Sequence, residues 1–138
     1  MSLGHAPRAV VVDASIMVEI IRGEEPHLRL ADEWAEEEAM LVAPFHFRAE
    51  VANALLRSAR LPVAEVSLAT GELERSGVEP TDRGLGGLIE AIELADRHGL
   101  TVYDALYLQL ALDIDAELAT LDRDLRTAAE AEQVAVLP

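Results

Sequence analysis

Ala9-Val10-Val11-Val12-Asp13 decides the reading of this chain: three consecutive valines that stop on an acid. A half-exposed strand alternates polar and apolar residues, whereas an unbroken β-branched run suits a strand covered on both faces, as in a parallel sheet. This run is therefore expected to be the central strand. Working outward, Ser15 to Arg22 reads as a short helix closed by Gly23, and Pro26 to Glu38 as a second with Leu28, Leu30 and Trp34 inward. Met40 to Ala43 is another buried strand, after which Pro44 opens a long helix to about Arg60. Pro62 introduces a helix ending near Gly77, then comes a short extended piece, Val78 to Pro80. Leu85 to His98 is amphipathic and stops at Gly99, and Thr101 begins a very apolar helix to about Asp113. Glu117 to Leu121 is a third strand, Asp124 to Ala131 a terminal helix, and Val134 to Leu137 an edge strand. Strands alternating with helices throughout imply an α/β fold, with a mostly parallel sheet between two helical layers.

The 138 residues suit a single domain, taken as residues 8–138, with residues 1–7 unstructured or derived from the expression vector. Eleven basic against 26 acidic residues give a net charge of −15, which argues against an open, electrostatically driven nucleic-acid or membrane surface. There is no cysteine, which excludes a disulfide scaffold, a zinc ribbon and thiol catalysis. All the basic residues are arginine, so Schiff-base chemistry and the Walker A lysine are excluded as well. No apolar run is long enough to cross a bilayer and no signal pattern opens the chain, so a soluble, cytoplasmic protein is expected.

Four acids break the local pattern. Asp13 and Asp122 each close a strand, where ligands of open α/β sheets bind, although each also reads as a helix N-cap. Glu50 shares a helix face with Val51 and Leu55, where a carboxylate is costly unless paired with Arg48 or Arg57 or bound to a cation. Asp104 lies in the apolar helix from Thr101, which offers a capping-box explanation of the spacing but not of the apolar surroundings. In right-handed crossovers helix N-termini and strand C-termini share one sheet edge, so all four acids can converge there. Crowded carboxylates without basic partners repel by several kcal/mol at an effective dielectric of about 20, unless a cation bridges them. Oxygen-only ligands suit Mg²⁺ or Mn²⁺, ions that activate water and stabilise phosphoryl displacement.

With these residues in view the chain resembles a PIN domain, specifically the VapC-type ribonuclease toxins of prokaryotic toxin–antitoxin pairs. The matching segments are Val11-Val-Asp-Ala-Ser15, Arg48-Ala-Glu-Val-Ala-Asn-Ala-Leu55, His98-Gly-Leu-Thr-Val-Tyr-Asp-Ala-Leu-Tyr-Leu108 and Leu118-Ala-Thr-Leu-Asp122, in the family's order. The resemblance implies a three-layer α/β/α PIN-like domain. It also implies Asp13, Glu50, Asp104 and Asp122 as the catalytic, metal-binding quartet, with Asp13 and Asp104 the firmest ligands. Ser15 and Thr120 would orient ligands or water, and Asp124 could contribute though it suits the surface better. The expected activity is Mg²⁺- or Mn²⁺-dependent hydrolysis of RNA, by a homodimer restrained by a cognate VapB-like antitoxin. Lysine is missing where such nucleases carry basic residues, leaving Arg22, Arg48, Arg57, Arg83 and Arg123 as candidates for phosphate contact.

Other readings fail on particular residues. A haloacid-dehalogenase-like phosphatase needs an acid where Ser15 stands and a later lysine, and a receiver domain needs that lysine too. An EF-hand over Asp113 to Asp124 has Leu118 in place of its glycine. Gly84-Leu-Gly86-Gly87 reads as a turn before a helix, and His5, His27, His46 and His98 stand in no motif. The rival from another class is a catalytically inactive PIN-like protein-binding module. The acidic charge suits a cationic partner: an antitoxin whose Arg- or Lys-bearing tail enters the acidic cleft while its apolar helix packs near the chain start.

Overall fold

The computed structural model describes residues 8–138; the expectation for residues 1–7 falls outside that range. Five strands form one sheet, β1 (Ala9–Val12), β2 (Met40–Ala43), β3 (Val78–Pro80), β4 (Glu117–Ala119) and β5 (Val136–Leu137), in the order β3-β2-β1-β4-β5. Every pairing is parallel. The three valines of β1 are fully buried at the centre of the sheet, as their unbroken run predicts. The short piece Val78–Pro80 is a true edge strand, where Pro80 lacks an N–H without harm to the ladder.

The helices are α1 (Ala14–Ile21), α2 (His27–Glu36), α3 (Phe47–Asn53), α4 (Val63–Glu72), α5 (Gly84–His98), α6 (Val102–Ile114) and α7 (Arg123–Ala131). α6 lies against β1 and β4 and carries α5 on its side, while α1 packs on α2 and α3. The expected long helix from Pro44 starts three residues later, at Phe47, and loosens into a π turn over Ala54–Ser58. The glycine run forms the first turn of α5 rather than a separate turn. A Cβ on Gly87 would lie 2.6 Å from the Arg83 Cβ and 3.2 Å from Oε1 of the buried Gln109 on α6, so glycine permits that close approach. Gly99, with φ of 67°, ends α5 in the left-handed conformation. α6 is not buried all round: Tyr103 and Leu112 face outward.

Chain order runs from β1 to β2 and β3 on one side and returns to β4 and β5 on the other. The seam between β1 and β4 is thus the switch point, where the connections diverge and leave a crevice beyond the strand ends. Asp13 follows β1 there, its N–H donating to the Ala119 carbonyl at 2.9 Å, and Thr120 follows β4.

Candidate active site

Asp13 is 5% exposed, and its surroundings separate two roles that the sequence leaves open. It caps α1 only through its backbone carbonyl, which accepts from the N–H groups of Ile16 and Met17. The carboxylate is held by something else. Oδ2 accepts from the Ser15 hydroxyl at 2.6 Å and from the Thr120 hydroxyl at 2.7 Å. These hydroxyls are oriented in turn by backbone donors, Leu121 N–H to Ser15 Oγ and Asp122 N–H to Thr120 Oγ1. Oδ1 accepts no hydrogen bond among the described residues. Burial raises the Asp13 pKa, the two hydroxyls oppose the rise, and Glu50 and Asp122 add to it.

Asp122 does act as a helix cap, with Oδ1 accepting the Leu125 N–H at 2.9 Å, yet it still contributes to the field at Asp13 and Asp104. At α6 the capping box closes on one side, the Thr101 hydroxyl accepting the Asp104 N–H at 3.0 Å. The half-buried Asp104 carboxyl is pushed up to about 6, first by burial and then by Asp122, Asp13 and Glu50. Its acidic neighbours outweigh the Thr101 hydroxyl, which pulls the other way.

Glu50 follows the opposite course. Burial pulls its pKa upward, but hydrogen bonds from His46 and Tyr107 more than compensate, and the net shift is downward. The Tyr107 hydroxyl donates to Glu50 Oε1 at 2.7 Å, and His46 Nε2 lies 3.0 Å from the same oxygen and 3.0 Å from the Tyr103 carbonyl. Since both of those neighbours only accept, Nε2 carries the proton. Burial, together with the Glu50 charge, raises the Tyr107 pKa strongly, so it remains a donor.

Neither His46 nor Tyr107 is among the site residues expected from sequence. His46 stands four residues before Glu50, the spacing that brings side chains together on a helix, so a signal existed. Tyr107 reaches Glu50 across 57 residues of chain, and in sequence it is simply core. Neither arginine offered as a partner for Glu50 serves it. Arg48 pairs with Glu74 at 2.6 Å, and Arg57, like Arg123, has no acid partner among the described residues. Arg22 lies 3.8 Å from Glu19, Arg83 pairs with Asp113, and Asp124 is exposed.

Four carboxylates thus share one electrostatic neighbourhood without an arginine bound to any of them. Among the described residues no three His, Cys, Asp or Glu side chains already stand close enough to chelate an ion. The donor set nevertheless fits a hard divalent cation. It is all oxygen, one Asp13 oxygen accepts no hydrogen bond among the described residues, and the rise at Asp104, due first to burial, includes repulsion from Asp122, Asp13 and Glu50 that a cation would offset. Beside Glu50 and Asp104 lies an open cleft of about 490 Å³, also lined by His46, Asn53, Thr101 and Tyr103. A neighbouring cleft of about 530 Å³, lined by Phe45, Leu85, Leu88 and Leu106, lies beside the acids rather than on them. No helix among the described residues is long and apolar enough to cross a membrane.

Known proteins resemble this chain over nearly its whole length. The sequence profile of the PIN domain matches residues 10–131. Ribonuclease VapC3 of Mycobacterium tuberculosis is 38% identical over 130 residues, 88% of each chain. The crystal structure of PAE2754 from Pyrobaculum aerophilum superposes with a TM-score of 0.68 at 24% identity, covering 94% of this chain and 90% of that one. VapBC2 from Rickettsia felis, solved bound to a DNA fragment from its promoter, gives 0.67 at 15% identity, with 93% and 96% covered.

Proposed function

Since the chain belongs to the PIN domain family, we propose that it is a divalent-metal-dependent endoribonuclease, the toxin half of a VapBC-type toxin–antitoxin pair. The observation that carries this reading is Asp13: a buried carboxylate with one oxygen fixed by two oriented hydroxyls and the other accepting no hydrogen bond, in the field of three further acids, none bound by an arginine among the described residues. Asp13 and Asp104 would hold Mg²⁺ or Mn²⁺, with Asp122 and Glu50 completing the site. Such an ion supplies Lewis-acid polarisation of a phosphodiester and acidification of water.

The protein's own groups prepare that chemistry. Ser15 and Thr120 fix the orientation of the Asp13 carboxylate. His46 and Tyr107 keep Glu50 ionised, leaving Oε2 to accept a proton or orient water at neutral pH. Asp122 has given Oδ1 to the start of α7 and retains Oδ2 for the site.

Two partners follow from the surface. A groove of about 310 Å³ between α1 and α2 is lined by Met17, Ile20, Trp34 and Leu41, and the buried Trp34 indole N–H has no acceptor among the described residues. That apolar lining suits the apolar helix of an antitoxin, its basic tail reaching the acidic cleft. Separately, α5 exposes Leu85, Leu88, Ile89 and Ile92 at helical spacing, a stripe that supports a homodimer.

The test is RNA cleavage by the wild-type chain with Mn²⁺ or Mg²⁺, with EDTA, and by Asp13→Asn. Cleavage abolished by EDTA and by the substitution is expected; cleavage undiminished in both would overturn the mechanism. A calorimetric titration showing no Mn²⁺ binding would favour the inactive binding module instead.

A further inference from the structure

The chain has five aromatic side chains of the Phe, Tyr and Trp kind, and three of them, Trp34, Phe47 and Tyr107, are core. The other two, Phe45 and Tyr103, are exposed, and of these only Tyr103 lines the cleft that holds Glu50 and Asp104. It is 64% exposed although it lies within a helix whose other side is deeply buried, and it stands next to Asp104 in the wall of the 490 Å³ cleft. The residue is also braced. The His46 ring meets it edge-on, centroids 5.6 Å apart at 66°, and His46 Nε2 donates to its backbone carbonyl at 3.0 Å. His46 is itself fixed on its other side by the buried Tyr107 ring, at 5.2 Å and 74°. An apolar ring held this way in water has no role in the core.

Substrate affinity poses a second problem. With a net charge of −15, phosphate contacts and counterion release contribute little: Arg48 and Arg83 are paired with acids, which leaves Arg57 and the exposed Arg123, next to Asp122, as the candidate phosphate contacts without an acid partner among the described residues. Base stacking needs no positive charge, depends little on salt and tolerates any base. We propose that Tyr103 is a stacking platform for one unpaired nucleobase of a single-stranded RNA, seated in the cleft beside Glu50 and Asp104. This rests on the ribonuclease reading above, and it makes the substrate single-stranded at the cut, because a paired base could not reach the ring.

The test measures binding, so that it stands apart from cleavage. In the Asp13→Asn background, a short single-stranded RNA bearing one 2-aminopurine is titrated by fluorescence, alongside a matched oligonucleotide with an abasic residue at that position. Tyr103→Ala should weaken binding of the first about tenfold, the order of one lost base stack, and leave the second unchanged. Tyr103→Trp and Tyr103→Phe should restore the affinity and the 2-aminopurine quenching, whereas Tyr103→Leu should not. In the otherwise wild-type chain Tyr103→Ala should raise KM with little change in kcat, and calorimetric Mn²⁺ affinity should not move.

Equal binding by Tyr103→Ala, or by the abasic oligonucleotide, would overturn the proposal, as would the absence of any binding to single-stranded RNA. So would a shift of Tyr103→Ala toward a lighter sedimenting species than the wild type, since the ring would then belong to a contact between copies of the chain. Loss of metal-dependent cleavage with stacking intact would instead refute the ribonuclease reading alone.

Discussion

Asp13 and Glu50 sit in the same field of acids and are driven in opposite directions. At the β1–β4 seam Asp13 is buried deeply and held by two neutral hydroxyls, which soften but do not reverse the cost of its charge. On α3 Glu50 is less buried and takes a phenol and an imidazole N–H on one oxygen, and it finishes below the usual carboxylate range. The contrast shows that burial alone does not set the charge of an acid; the number and quality of donors decides. In the proposed mechanism this supports a division of labour, with the cation held at the seam and an acceptor kept ionised on the helix.

The largest effect that would break this comparison is at the seam. Asp13→Asn should lower RNA cleavage about a thousandfold, the order seen when one preorganised electrostatic group is removed. Its melting temperature in EDTA should hold or rise, because a buried charge and its repulsions with Glu50 and Asp122 disappear. Activity surviving within a factor of ten would dethrone Asp13. Thr120→Val keeps the shape of a fully buried side chain but removes a donor to Asp13 and the acceptor of the Asp122 N–H. It should cost about 1 to 2 kcal/mol, read by urea unfolding, since a part-buried amide and the buried Asp13 carboxylate each lose a partner. An unchanged midpoint would mean that water replaces the hydroxyl.

On the other side of the comparison, Tyr107→Phe removes one donor from Glu50 without leaving a cavity. Mn²⁺ affinity should fall about tenfold by calorimetry, the low end for a residue that positions a ligand, with the melting temperature nearly unchanged. Affinity equal to the wild type would show that His46 alone holds Glu50.

The halves of the site differ in how legible they are. Asp13 and Asp122 can be read from sequence because each closes an apolar strand, and topology then brings them to one edge, whereas Thr120, expected inside the last residues of its strand, enters only through the family resemblance. The other acids stand out as carboxylates whose local alternatives are capping, for Asp104 and Asp122, or an arginine pair, for Glu50, and capping is a role that Asp122 in fact performs. What pairs with Glu50 is less accessible. The charge pattern suggests arginine, yet Arg48 turns to Glu74 and the donor is a core tyrosine on another helix. Periodicity finds which residues are buried, but not which buried hydroxyl faces a carboxylate across the core. The π turn at Ala54–Ser58 is invisible for a related reason, since it depends on packing around the end of α3 rather than on any local breaker.

The smallest predicted effect concerns pH and Asp104. Its carboxyl is raised to about 6 in the folded chain against about 3.9 when unfolded, so the native state binds the proton more tightly. The stability this contributes is fully present below about pH 4 and is lost as pH rises through about 6. A shift of this size would amount to nearly 3 kcal/mol for a sealed group, but Asp104 is only half buried, and solvent screening leaves on the order of 1 kcal/mol. In EDTA, Asp104→Asn should therefore be about 1 kcal/mol more stable relative to wild type at pH 7 than at pH 4. Denaturant midpoints across pH 4 to 8 read that difference directly. Added Mn²⁺ should reverse its sign at pH 7, because an ion held by Asp104 stabilises the wild type where the bare carboxylate destabilises it. A difference that ignores both pH and Mn²⁺ would place Asp104 outside the acidic cluster's field.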